Sequence, residues 1–370
     1  MKKYLILISC LSISACSIAK ERPELEYQFP NCGISELNGK TINKVCATRD
    51  FIAPEPRKRK RDWLAFLAAE GSSGYKGPID PTGGILEFKN KELDMQGHVW
   101  DFSKQGNPGL VLEGHDSTIK NGIILNANIV LGNLYSPPNF SKKNQSRNLN
   151  IEQYGFLYAN NDYNCKRLGK KICEDSNLLE NIFIKNLKTQ ADTLNLRSWG
   201  GGVLSSQLII KNKFSINGSK ADISNNKILS SATLNQYSHF PLIRFNQSKF
   251  IDNSQQIFPD ANDDDTAIPS TLYLKFSPDT VIDGNTFTLT NKNDQAYAIV
   301  LDHSPRVRIT NNTFNGFKVP ILMDQWSSIV DEKGNEIKPQ QFTGYGNVIN
   351  PNKYAGEVTM NRKGEVVMAK

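Results

Sequence analysis

Apolar residues in this chain recur at every second position in short runs, separated by polar pairs containing Asn or Gly. Leu272, Leu274 and Phe276 alternate with Tyr273 and Lys275, and Ile299 and Leu301 repeat the pattern. A period of two over so few, often β-branched residues predicts strands rather than helix pairs. The runs themselves repeat. Residues 272–278 lie over 299–305 at an offset of 27 without a gap, which also sets Ile282 on Ile309, Asn285 on Asn312 and Phe287 on Phe314. An offset of 31 carries the alignment further back, with Arg244-Phe245 over Lys275-Phe276 and Phe250-Ile251 over Val281-Ile282. The segment 221–228 matches 307–314. A repeat of this length predicts coils that bury their apolar faces only by stacking on one another.

The turns sharpen the fold class. Asn121-Gly122, Asn186-Leu187, Asn225-Asn226, Gly284-Asn285, Asn311-Asn312 and Gly346-Asn347 each separate two short runs. Asn and Gly suit such corners because they tolerate left-handed backbone angles, and Asn also hydrogen-bonds locally. In these residues the chain resembles the right-handed parallel β-helix (pectate-lyase-like) superfamily over roughly residues 83–350. The resemblance implies an all-β right-handed parallel β-helix solenoid. It says little about function, because one fold hosts many chemistries.

A helix is expected at 62–70, where Trp63, Phe66 and Leu67 share a face, Asp62 is placed to cap it and Gly71 ends it. Its expected job is to cover the open first coil of the solenoid. The chain then divides into a leader at 1–15, a tether and N-terminal cap at 16–82, coils at 83–325, and a last turn with C-terminal cap at 326–370. Polar insertions are expected near 135–163 and 253–269.

Met1-Lys2-Lys3 followed by the apolar stretch 4–13 reads as an export signal, too short to span a bilayer. Its end, Ile13-Ser14-Ala15-Cys16, resembles the bacterial lipobox. That resemblance implies cleavage before Cys16, lipidation of Cys16 and, with Ser17 following, an outer-membrane address facing the periplasm or the cell surface. Four cysteines remain, and Cys32–Cys46 with Cys165–Cys173 is the economical pairing in an oxidising compartment. The 44 Lys and Arg exceed the 37 Asp and Glu, and five of the cations form the run 57–61. For an exported chain this favours an anionic glycan, lipid headgroups or an acidic envelope protein over nucleic acid.

The two offsets together predict an outward column of Arg244, Lys275 and Asp302, and Arg197, at the end of Leu194-Asn195-Leu196-Arg197, matches the same position one coil earlier. Tyr273 lies beside it, His303 at its end, and His239 approaches from a turn. Such a column suits an acidic polysaccharide. Cations neutralise uronate carboxylates and ease removal of a ring proton, while Lys275, Arg244, Tyr273, His239, Asp302 or His303 transfers protons. Arg197, Asp192 and Asn195 are the candidates for substrate contact, and Asp192, Asp222 and Asp252 are the carboxylates a hydrolase would recruit. Asp263, Asp264 and Asp265 are a candidate Ca2+ site. Two function classes stay open: an enzyme that cleaves or epimerises an acidic polysaccharide, and a non-catalytic envelope scaffold that binds glycan or protein.

Overall fold

A computed structural model describes residues 30–37, 39–52, 85–89, 91–104, 109–113, 116–131, 181–196, 200–216, 221–230, 234–237, 243–252, 268–275 and 277–368. The expected helix at 62–70, Cys16, Cys165, Cys173 and the acidic run Asp263, Asp264 and Asp265 lie outside them. The described chain is mostly β. Its strands build a strongly curled parallel sheet, a β-helix-like solenoid in which three strands per coil stack into three ladders. One ladder runs through Gly202–Leu204, Asp222–Ser224, Arg244–Asn246, Val281–Asp283 and Arg308–Thr310. The next runs through Lys227–Ser230, Lys249–Asp252, Thr286–Leu289, Thr313–Asn315 and Val348–Asn350. The third joins Leu234–Tyr237, Ser270–Lys275, Tyr297–Asp302 and Ile321–Met323.

Inward positions carry the core. Leu274 meets Leu301 and Ile282 meets Ile309, and all four are buried. Phe250, Phe287 and Phe314 form a column of stacked rings, with centroids 5.0 and 5.3 Å apart. Phe342, from the 3-10 helix Pro339–Tyr345, closes the column with a ring tilted by 57°. That helix is the one helical segment among the described residues, and none there is long and apolar enough to cross a membrane.

The corners work as the sequence suggests. Asn121, Asn186, Asn225, Gly284, Asn311 and Gly346 all have positive φ, between 47° and 77°. Where the residue after this corner is Asn or Ser, its buried side chain can reach the neighbouring coil. Asn285 N–H donates to Asn312 Oδ1 at 2.9 Å, and Asn312 N–H donates to Asn347 Oδ1 at 3.0 Å. The amide groups of Asn285 and Asn312 donate onward to the carbonyls of Phe245 and Ile282. This ladder satisfies backbone groups that a buried corner would otherwise orphan.

The 27-residue offset is the register seen in the structure, but the 31-residue offset is not. Arg244 pairs with Val281, not with Lys275, and Phe250 pairs with Phe287. The coil is 37 residues long because the insertion begun at 253 adds to it before Ser270. Arg244 is therefore on a different ladder from Lys275, with Asp222 and Val281 as neighbours. The register partner of Lys275 on that side is Tyr237.

At the other end, the hairpin Asn31–Leu37 and Lys40–Cys46 is fastened by the Cys32–Cys46 disulfide and pairs in parallel with Lys91–Asp94. Lys40 to Asp116 at 2.9 Å, Lys44 to Asp94 at 3.0 Å and Ser35 to Glu92 at 2.8 Å hold it down.

Candidate functional site

The site forms where the third ladder ends its strands, at the corner after Asp302. The 27-residue register puts Lys275 beside Asp302, and Met323 beside Leu301, so Asp324 directly follows the next rung. His303 turns the chain with φ of 49°. Ser304 N–H donates to Ser327 Oγ at 2.9 Å, while the Ser304 hydroxyl donates to the carbonyls of Leu274 and Asp302. Successive corners are thus pinned to one another by small buried hydroxyls. Asp324 makes a local turn: its Oδ1 accepts from the Ser327 hydroxyl at 2.6 Å and from Trp326 N–H at 3.2 Å.

These corners gather six side chains. The Tyr273 hydroxyl donates to Asp302 Oδ2 at 2.8 Å, and Lys275 Nζ stands 3.7 Å from the same oxygen. His303 Nδ1 faces both carboxylates, at 2.6 Å from Asp302 Oδ1 and 2.9 Å from Asp324 Oδ2. His303 N–H also donates to Asp324 Oδ2 at 3.0 Å. The Trp326 ring lies over His303, with centroids 6.0 Å apart and planes 22° from parallel, yet Trp326 remains 62% exposed. Beneath that ring the Asp302, His303 and Asp324 side chains are part-buried, and the imidazole is the most open of the three. An exposed aromatic plane beside hydroxyl, ammonium and carboxylate groups is chemically suited to stack on a sugar ring and hydrogen-bond its hydroxyls.

Of the residues read from the sequence, Tyr273, Lys275, Asp302 and His303 come together here. Arg244 does not, for the reason of register. Asp192 sits at a corner three coils away and binds the Asn212 amide. Asp222 binds the Ser224 hydroxyl, and Asp252 is buried against the Thr271 hydroxyl at 2.7 Å. Neither belongs to the cluster. Asn195 and Leu196 align through Ser215 and Ile216 with the strand Leu234–Tyr237 that precedes Ser270–Lys275. Arg197 and His239 lie outside the described residues.

Asp324 and Trp326 are what sequence reading missed. The signal was present: Ile321-Leu322-Met323-Asp324 repeats Ile299-Val300-Leu301-Asp302. It was masked because that coil is shorter and its serine, Ser327, comes one residue later in the corner than Ser304 does.

Comparison with known proteins gives no match: no family model, no curated protein and no solved structure matches the chain. Function has to be read from the geometry. A curled parallel β-sheet bearing an Asp-His-Asp cluster beside an exposed tryptophan is consistent with a surface that binds or acts on a polysaccharide.

Proposed function

We propose that this chain is an envelope lipoprotein, anchored in the outer membrane through Cys16, whose right-handed solenoid presents the Tyr273–Trp326 corner to an acidic polysaccharide. The observation that carries the reading is the exposed Trp326 plane stacked on His303 beside Lys275 and Tyr273. Trp326 supplies the stacking face and Lys275 the charge for a uronate carboxylate. The Tyr273–Asp302 pair is the proton-transfer unit for β-elimination. The proton on the ring carbon beside the carboxylate passes to the pair, and its electrons form the double bond as the bond to the leaving oxygen breaks. The pair then returns a proton to that oxygen. Epimerisation uses the same abstraction, with the proton returned to the opposite face of the ring carbon.

Structure and register leave Lys275 as the only described cation in this column, so binding should fall with added salt but not vanish. The test is a panel of uronate-containing and neutral polysaccharides, read by binding, by absorbance of unsaturated ends and by proton exchange at the uronate ring. Trp326→Ala should weaken binding roughly twofold to thirteenfold, in line with an aromatic contact of about 0.5–1.5 kcal/mol. Tyr273→Phe should abolish product or exchange while leaving most binding. Binding without either reaction selects the non-catalytic scaffold. No binding of any polysaccharide rejects the reading altogether. Intact-mass measurement in the native host should find a diacylglyceryl group on Cys16, and an unmodified N-terminus there rejects the anchor.

A further inference from the structure

We propose that Asp302, His303 and Asp324 are the three protein ligands of a divalent cation of the Zn2+ or Mn2+ kind. The inference concerns the same corner but stands whether or not a glycan binds there. One donor atom from each residue lies within 4.8 Å of the others. Two of the spacings are shorter still, 2.6 and 2.9 Å from His303 Nδ1 to the two carboxylate oxygens. Ligands about 2.1 Å from one ion sit about 3.0 Å apart at octahedral angles and about 3.4 Å apart at tetrahedral ones, so these donors need to spread by only a few tenths of an ångström to take an ion between them.

The second observation is the way each carboxylate is held. Asp302 offers Oδ1 to the cluster while its Oδ2 is occupied by Tyr273 and faced by Lys275. Asp324 offers Oδ2 while its Oδ1 is occupied by Ser327 and the Trp326 N–H. One oxygen of each acid is thus fixed from behind and the other aimed inward. Outer partners orient metal ligands in this way. Backbone geometry contributes as well, since the positive φ of His303 and its N–H bond to Asp324 set the imidazole between the two rungs.

Charge points the same way. Parallel rungs bring Asp302 and Asp324 to adjacent positions about 4.8 Å apart, where two carboxylates repel. Lys275 Nζ stands 3.7 Å from the outer oxygen of Asp302. A cation between the inner oxygens and the imidazole relieves that repulsion. An imidazolium proton is the competing occupant of the same spot. Donor chemistry selects the ion, because one imidazole nitrogen with two carboxylates suits borderline metals, whereas Ca2+ takes six to eight oxygens. Three protein ligands leave coordination positions for water or for an anionic group.

The experiment is calorimetric titration of the full mature chain with ZnCl2, MnCl2 and CaCl2, each alone and with the others as competitors. Saturable binding of one Zn2+ or Mn2+ per chain is expected, with Ca2+ unable to displace it at equal concentration. Asp302→Asn, His303→Gln and Asp324→Asn should each lower affinity by at least roughly tenfold. Tyr273→Phe and Ser327→Ala, which remove outer partners, should lower it about tenfold while keeping all three ligands. Asp294→Asn, whose carboxylate pairs with Lys318 outside the cluster, should change nothing. Circular dichroism identifies any ligand variant that fails to fold, and the two outer-partner variants then carry the test. Absence of stoichiometric binding, binding that survives all the substitutions, or preference for Ca2+ overturns the proposal. Metal binding without glycan binding would leave it standing while rejecting the glycan reading. Glycan binding with no metal site would do the reverse.

Discussion

Asn312 shows how much one residue carries in a stacked corner. Its carbonyl oxygen accepts from Asn285 N–H at 2.9 Å, and its amide donates to Ile282 O at 2.9 Å, with the side chain fully buried. Asn312→Ala orphans a donor and an acceptor at once. At about 1–3 kcal/mol for each unsatisfied buried group, the expected loss is roughly 2–6 kcal/mol, read as a lower urea midpoint. A loss below about 1 kcal/mol would mean that water takes over the ladder. Asp94 makes a pH-dependent prediction. Burial alone would raise its carboxyl, but hydrogen bonds from Lys44, Gln96 N–H and Asn121 outweigh that and hold it below the ordinary carboxylate range. A depressed folded value stabilises the protein above the unfolded value of about 3.9, and that stability is lost as pH falls through the folded value. The urea midpoint of the native chain should therefore exceed that of Asp94→Asn near pH 6, and the gap should close towards pH 2. A gap independent of pH would show that Asp94 acts through packing rather than charge.

At the scale of elements, the C-terminal hairpin formed by Val358–Met360 and Val366–Met368 runs back along the outside of the second ladder. Ala355 and Gly356 N–H donate to the Leu289 and Thr290 carbonyls. Further back, Val366 N–H donates to Gln207 Oε1 at 3.1 Å, the Lys227 ammonium donates to the Val366 carbonyl, and Lys188 reaches Glu365 at 3.3 Å. Val366 itself is 1% exposed. The hairpin therefore fastens coils that are far apart along the stack. Its grip should come from Val366 and the backbone bonds, since a part-exposed pair such as Lys188–Glu365 contributes about 0–1 kcal/mol. Val366→Asp should detach the hairpin and reduce hydrogen-exchange protection around Gln207–Ile216 and Lys227–Ser230, with Lys188→Ala nearly silent. Equal effects of the two substitutions would contradict this.

For the whole molecule, the nearest-neighbour character of a solenoid matters most. Register links Cys46 through Asp94, Lys120, Lys185, Leu204, Ser224, Asn246 and Asp283 to Thr310, eight strand steps or about 38 Å. The disulfide closes a loop whose ends are 14 residues apart, for which chain-entropy estimates give about 3 kcal/mol. Reduction should loosen the N-terminal hairpin while Trp326 fluorescence and any ligand binding at the corner stay unchanged. Simultaneous loss of both would show that the stack unfolds as one unit.

Alternation of apolar and polar positions, the ungapped 27-residue repeat and the Asn and Gly corners determined the solenoid from sequence alone. They did so because each is a local demand: a strand's two faces, a coil's length, a left-handed turn. Tyr273, Lys275, Asp302 and His303 were legible for the same reason, lying within the one stretch where the repeat has no gap. The rest of the site was decided by tertiary structure. An insertion changes a coil's length without changing its turns, so only strand pairing could move Arg244 off the column and put Tyr237 there. Only the packing of one corner on the next could bring Asp324 and Trp326 to His303, because their coil is shorter and their approach depends on Ser304 and Ser327 being bonded across the rungs.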